Sequence, residues 1–153
     1  MKKLFLILIA LFIATSAISQ TTFTRDYLTY KTIDATSVKI IDCSASAVSV
    51  DIPSIVSNEG NYYNVTIIGA EAFKRCYSLE NVSIPESIRT IEEGAFYYCT
   101  KLTEINIPSN VTTIARNTFR ECNVLTSFTI PNNVTYIGEY AFYECDNLTS
   151  III

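Results

Sequence analysis

The chain repeats itself every 23 residues. Phe73, Phe96, Phe119 and Phe142 keep that step, and so do Cys76, Cys99, Cys122 and Cys145. Leu79, Leu102, Leu125 and Leu148 follow it, as do Ile84, Ile107, Ile130 and Ile153, with Pro85, Pro108 and Pro131 in the same phase. A unit this short has too little core of its own. It can bury its apolar face only against its neighbours, which predicts a solenoid, a one-dimensional stack of like units. In such a stack function belongs to a repeated surface more than to a pocket.

Residues 65–153 divide into four 23-residue units: Val65–Ser87, Ile88–Asn110, Val111–Asn133 and an incomplete Val134–Ile153. Within the first, Val65–Ile68 reads as a short extended segment. Ala72, Phe73 and Cys76 are spaced i, i+1, i+4, which predicts one side of a short helical turn. Leu79–Pro85 reads as a strand with Val82 and Ile84 inward, ended by the proline. Successive copies of that strand are expected to pair in parallel.

Residues 20–64 do not follow the period. Tyr27–Tyr30 and Ser37–Ile41 are rich in β-branched and aromatic residues and predict short strands. Val50, Ile52 and Pro53 stand like Val82, Ile84 and Pro85, with the loop Ser57–Asn61 inserted between. This region is expected to be a β-rich N-terminal cap, which a stack needs because its first unit has no neighbour. At the other end the chain stops within a strand, at Ile151–Ile153, with no closing cap. That predicts either a fragment of a longer array or an apolar edge that self-associates.

Lys2 and Lys3, the apolar run Leu4–Ala14 and the small residues Ala17 and Ser19 form a signal-peptide pattern over residues 1–19. The run is short for a membrane span, and nothing later in the chain has the apolar length to cross one. Removing Lys2 and Lys3 leaves nine bases against 15 acids, a net charge near −6. The charges are scattered and form no basic stripe, so nucleic acid and anionic membranes are poor partners. Histidine is absent. The commonest general base, the usual triads and most transition-metal sites go with it.

The segment Leu102-Thr-Glu-Ile105-Asn-Ile107-Pro108, followed by Val111-Thr-Thr-Ile114, Thr118-Phe119 and Cys122, resembles the BspA-like leucine-rich repeat family. The resemblance covers residues 65–153, and the segment before it is similar to the cap that often precedes such repeats. It implies a curved right-handed leucine-rich repeat solenoid, secreted or on a bacterial cell surface. It also implies adhesion to host matrix proteins or to other bacteria, with no catalytic residues to carry over. Glu92 and Ala115 depart from the glycine at Gly69 and Gly138, and Thr118 replaces alanine. These are small-residue or loop changes.

The outward positions of the Leu79–Pro85 strand and its copies are Asn81, Ser83, Glu104, Asn106, Ser127, Thr129, Ser150 and Ile152. Polar side chains in line on a concave parallel sheet offer a contact surface for protein or glycoprotein ligands. They also fit a merely solvated face. On the opposite side Tyr77, Tyr97, Tyr98, Tyr140 and Tyr143 combine area with a polar tip, as interfaces favour, though they also suit packed solenoid turns.

The four in-phase cysteines are expected to be stacked, buried thiols. Neighbouring copies lie about 4.8 Å apart, but their Cβ vectors run parallel and so disfavour bridging. Cys43 is out of phase: a lone thiol, a link to another chain, or a residue buried in the cap. No Cys-x-x-Cys pair exists, and no metal or other cofactor is expected. Asn64, Asn81, Asn110, Asn133 and Asn147 open Asn-x-Ser/Thr sequences that the repeat itself generates. Glu71, Glu92, Glu93 and Glu104 do not recur at one repeat position, so the chain is not expected to be an enzyme.

Overall fold

The computed structural model describes residues 20–153; the expected signal segment, residues 1–19, lies outside the described residues. The cap starts with an antiparallel meander of β1 (Thr22–Arg25), β2 (Leu28–Thr32) and β3 (Ser37–Cys43). Two parallel ladders leave it. One begins with the short strand β4 (Ser49–Asp51). The other begins with β3 itself, after the hairpin of β5 (Ile55–Asn58) and β6 (Asn61–Ile68) folds back beside it.

Each repeat adds a rung to both ladders. On the first, β4 pairs with β7 (Asn81–Ser83) and β7 with β9 (Glu104–Ile105), all parallel. β11 (Ser127–Thr129) and β13 (Ser150–Ile152) continue the series as a parallel pair. On the second, β3 lies beside β6 and β6 beside β8 (Thr90–Ile91), while β10 (Thr113–Ile114) pairs with β12 (Tyr136–Ile137). Val50 pairs with Val82 and Val82 with Ile105, so the equivalence of β4 with the later repeats holds in space. On the first ladder Pro53, Pro85, Pro108 and Pro131 help keep β4, β7, β9 and β11 short, because a proline lacks the N–H that the next ladder bond needs.

The expected helical turns are absent: among the described residues no helix forms. Ala72, Phe73 and Cys76 are buried together as the spacing requires, but on two consecutive tight turns. Ala72, Lys74 and Cys76 donate their N–H to the carbonyls of Gly69, Glu71 and Phe73, three residues back. The intervening N–H groups of Glu71, Phe73 and Arg75 reach across to the carbonyls of Glu93, Ala95 and Tyr97 in the next repeat. Glu71 and Arg75 hold positive φ angles of 58° and 63°, which no right-handed helix contains. The same positions recur at Gly94 and Tyr98, Asn117 and Glu121, Tyr140 and Glu144. The turn layer is thus hydrogen-bonded between repeats in the manner of a sheet. That leaves the backbone too few local bonds for a helix.

The core is a set of columns. Phe73 stacks on Phe96 with ring centroids 4.9 Å apart, Phe96 on Phe119 at 5.6 Å, and Phe119 on Phe142 at 5.5 Å. Leu79, Leu102 and Leu125 form a second column, fully buried. All five cysteines are free. The in-phase thiols do more than fill space. Cys99 donates its S–H to the Phe73 carbonyl at 3.1 Å, Cys122 to that of Phe96 at 3.3 Å and Cys145 to that of Phe119 at 3.0 Å. Each repeat therefore caps a carbonyl of the one before it. Cys43 lies beneath this column: Cys76 donates to the Cys43 carbonyl at 3.6 Å. Of the readings open for Cys43, burial in the cap holds.

At Gly69 and Gly138 the turn passes close against the previous rung. At Gly138 a Cβ would sit 2.5 Å from the Arg116 nitrogen and 2.7 Å from the Ala115 carbonyl carbon. Glu92, at the equivalent of Gly69, turns its carboxylate to structural use. It pairs with Lys39 of β3 at 3.2 Å and accepts the Ala70 N–H at 2.8 Å, tying the second unit to the cap and to the first unit. Thr118, where alanine was expected, is buried with its hydroxyl donated to the Ala115 carbonyl at 2.8 Å.

Phe96→Ala removes a ring stacked on both sides and is expected to cost about 3–5 kcal/mol in urea unfolding. Phe142→Ala, at a half-buried position in the last unit, should cost clearly less. Gly138→Ala, which must push backbone aside, is expected to cost about 1–3 kcal/mol. Stability should also fall in alkali. A free thiol ionises near 9, whereas burial pushes folded Cys145 up to about 11 and folded Cys99 well above 9. Above pH 9 the unfolded chain releases protons that the folded chain keeps. Stability is therefore full below pH 9 and declines as pH rises through 9 to 11. Unfolding midpoints at pH 7, 9 and 10.5 test this, and Cys99→Ala should flatten the dependence.

Candidate functional site

The first ladder presents alternate residues to opposite sides. Val50, Val82, Ile105 and Phe128 point inward and are buried. Asn81, Ser83, Glu104, Asn106, Ser127 and Thr129 are exposed, together with Ser150 and Ile152. The pairing sets them in two rows. Ser49 faces Asn81 and Asn81 faces Glu104 in one row, with Ser127 beside Ser150 further on. Asp51 faces Ser83 in the other, with Thr129 beside Ile152. The first part of this face is a depression of about 310 Å³ that runs from Ser49 and Asp51 to Glu104 and Asn106. A second depression, of about 600 Å³, is lined by Asn106, Thr129 and Ile152.

Several other polar side chains of the repeat are used inside the molecule. Thr103, Thr135 and Thr149 donate their hydroxyls to the carbonyls of Glu80, Thr112 and Thr126, one repeat back. Asn110, Asn133 and Asn147 likewise donate to Glu86, Ser109 and Asn123. Among the described residues none of the six candidate side chains makes a hydrogen bond or an ion pair. Ser49 and Asp51, which head the two rows, were missed as candidates. Their signal was present, because the match of Val50 to Val82 implies that Ser49 and Asp51 match Asn81 and Ser83.

The tyrosines on the turns are engaged internally. Arg120 lies 5.3 Å from the Tyr97 ring and 5.0 Å from that of Tyr143. Lys74 also lies over Tyr97, Arg75 over Tyr98 and Arg116 over Tyr140. These cation–aromatic contacts form further columns between repeats. The carboxylates weighed for acid–base work are scattered. Glu71 pairs with Lys74 at 2.7 Å, Glu92 with Lys39, and Glu93 with Arg116 at 3.9 Å, while Glu104 lies on the strand face. Among the described residues no group of three His, Cys, Asp or Glu could hold a metal ion, and no helix is long and apolar enough to cross a membrane.

A leucine-rich repeat protein from Bacteroides ovatus is 32% identical, with a TM-score of 0.73; the match covers 86% of this chain and 41% of that one. A leucine-rich repeat protein from Bacteroides capillosus superposes with a TM-score of 0.74 at 24% identity, over 86% of this chain and 96% of that one. The leucine-rich repeat protein of T. pallidum does so at 0.68 and 23%, over 86% and 71%. The last two likenesses speak to the fold alone. The chain spans well under half of the Bacteroides ovatus protein. No curated protein matches the sequence. Residues 49–153, from β4 onward, match six copies of the BspA-type leucine-rich repeat region. The chain belongs to the BspA-type leucine-rich repeat family.

Proposed function

We propose that this chain is a secreted or cell-surface binding module that docks protein or glycoprotein ligands, host matrix proteins among them, without turning them over. The ligand lies along the concave face of the first ladder, against Asn81, Ser83, Glu104, Asn106, Ser127 and Thr129. One observation carries the reading: these exposed side chains stand in rows on one strand face and have no partner among the described residues, while Thr103 and Thr149 beside them donate to the preceding repeat. A row of unpaired donors and acceptors on a rigid sheet costs little ordering entropy when a partner binds. Residence outside the cell follows from the signal-peptide pattern of residues 1–19 together with the family.

A second reading is assembly of like chains through β13. It is favoured by the exposure of Ile151, Ile152 and Ile153 along an unpaired strand edge. Sedimentation separates the two, since an assembly element forms oligomers with rising concentration and a binding module stays monomeric.

Binding to immobilised matrix glycoproteins and to bacterial surfaces tests the first reading. Asn81→Arg, Asn106→Arg and Thr129→Arg should each weaken saturable binding about tenfold or more, the loss of one well-placed contact plus a steric clash. Tyr77→Ala on the turn side should leave it unchanged. Unaltered binding in all three ladder variants would refute the strand-face assignment.

A further inference from the structure

β4 is the outer strand of its sheet, because β7 lies on one side of it and no strand on the other. The bonds to the β7 side are made by alternate residues. Val48 accepts from the Glu80 N–H at 2.8 Å, and Ile52 donates to the Ser83 carbonyl at 3.0 Å. In a strand the residues between point their N–H and C=O the other way. Ser49 and Asp51 therefore turn two donors and two acceptors away from the sheet, and among the described residues none of these four groups has a partner.

Those groups open into a cavity of about 470 Å³ between β4, β5 and the β1–β2 turn. Its inner wall is apolar, made by Leu28, Tyr30, Val50, Pro53 and Val56. Its outer rim joins the first depression of the strand face through Ser49 and Asp51, which line both. The rim is acidic. Asp26, Asp51 and Glu104 have no ion pair among the described residues. The one base nearby, Arg25, is turned toward the Phe23 ring and donates to the Thr24 carbonyl at 3.4 Å.

The geometry points to an extended peptide segment of a partner protein that adds a strand to the free edge of β4. Its side chains alternate between apolar residues set into the cavity and lysine or arginine residues set over Asp51 and its acidic neighbours. Main-chain bonds to Ser49 and Asp51 supply the register. The pleat sends successive residues to the apolar wall and to the acidic rim in turn. Other exposed strand edges of the chain lack this combination. The β13 strand borders the depression of about 600 Å³, but its unit carries Glu139, Glu144 and Asp146 with no base, which sets acid against acid in a second copy. This inference rests on the strand-face reading for the binding role of the ladder. The residues that test it, Ser49 and Asp51, lie outside the three ladder positions tested above, so either can fail alone.

The test uses three fluorescent nonapeptides and anisotropy titration at low salt: alternating Lys and Val, alternating Glu and Val, and the Lys–Val peptide with every second residue N-methylated on the bonding edge. The Lys–Val peptide is expected to bind saturably. The Glu–Val peptide should bind at least about tenfold more weakly, from the loss of two or three ion pairs. The methylated peptide should not bind, because it cannot make the main-chain bonds. Asp51→Lys should weaken Lys–Val binding about tenfold, and Ser49→Pro, tolerated on an edge strand, should abolish it. Thr129→Arg should leave it intact, which separates this site from the distal ladder. Equal binding of the Lys–Val and Glu–Val peptides, or indifference to both Asp51→Lys and Ser49→Pro, would overturn the proposal. So would a protein dimer that Ser49→Pro dissociates, since the edge would then serve a second copy. If matrix binding fell in the Asn106→Arg variant while no peptide bound, the ladder reading would stand and this one would fall.

Discussion

The fold depends on stacking between equivalent residues one repeat apart. A phenylalanine between two others at about 5 Å spacing has both faces covered by aromatic carbon, an arrangement that no single unit can supply. The thiol-to-carbonyl bonds work across the same step. Cys99, Cys122 and Cys145 each add a second hydrogen bond to the carbonyl of the phenylalanine one repeat before, which already accepts an N–H from its own turn. The turn layer obeys the same rule, with every second N–H crossing to the next repeat. Stability in this molecule is therefore held between repeats. A change at one rung is felt by both neighbours.

Such a stack has to begin somewhere. The cap solves this by imitation, because β3 lies parallel to β6 and so acts as a rung without belonging to a repeat. The carbonyl of Cys43 receives the Cys76 thiol just as a phenylalanine carbonyl receives the later ones. Hydrogen bonding to Cys76 and burial push the Cys43 thiol up, which keeps it protonated and unreactive. Lys39 completes the join through Glu92. On the first ladder the imitation stops. β4 begins the series with one side open, and the cap hairpin arches beside that edge without pairing to it.

This division explains where binding capacity remains. Inside the stack many polar groups are spent on holding repeats together, and the asparagines of the Asn-x-Ser/Thr sequences are examples. Asn64, Asn110, Asn133 and Asn147 all donate to carbonyls elsewhere in the fold. Asn81 does not, because it lies on the strand face, where the pleat carries side chains away from the neighbouring repeat. The tyrosines, which looked equally suited to contact, are held by Lys74, Arg75, Arg116 and Arg120. Free polar groups thus include those of the first ladder and its open edge.

Much of this could be read from residue order alone. The period put the phenylalanine, cysteine and leucine columns in the core, placed Asn81 to Thr129 outward, and matched Val50 to Val82 across an inserted loop. Those are statements about repetition, and in a stack an interval along the chain becomes a distance in space. What the period could not carry was the hydrogen bonding between units. The spacing of Ala72, Phe73 and Cys76 suits a helical turn as well as paired tight turns. The choice fell to carbonyls one repeat away, which capture the N–H groups a helix would have used. Cys43 took its place under the thiol column for a similar reason, through the packing of a strand that lies out of phase with the repeats. The cavity beside β4 likewise exists because two segments far apart in sequence fold close together without pairing. Contacts set by a local interval are legible in order; contacts set by the meeting of unlike segments appear only once the chain has packed.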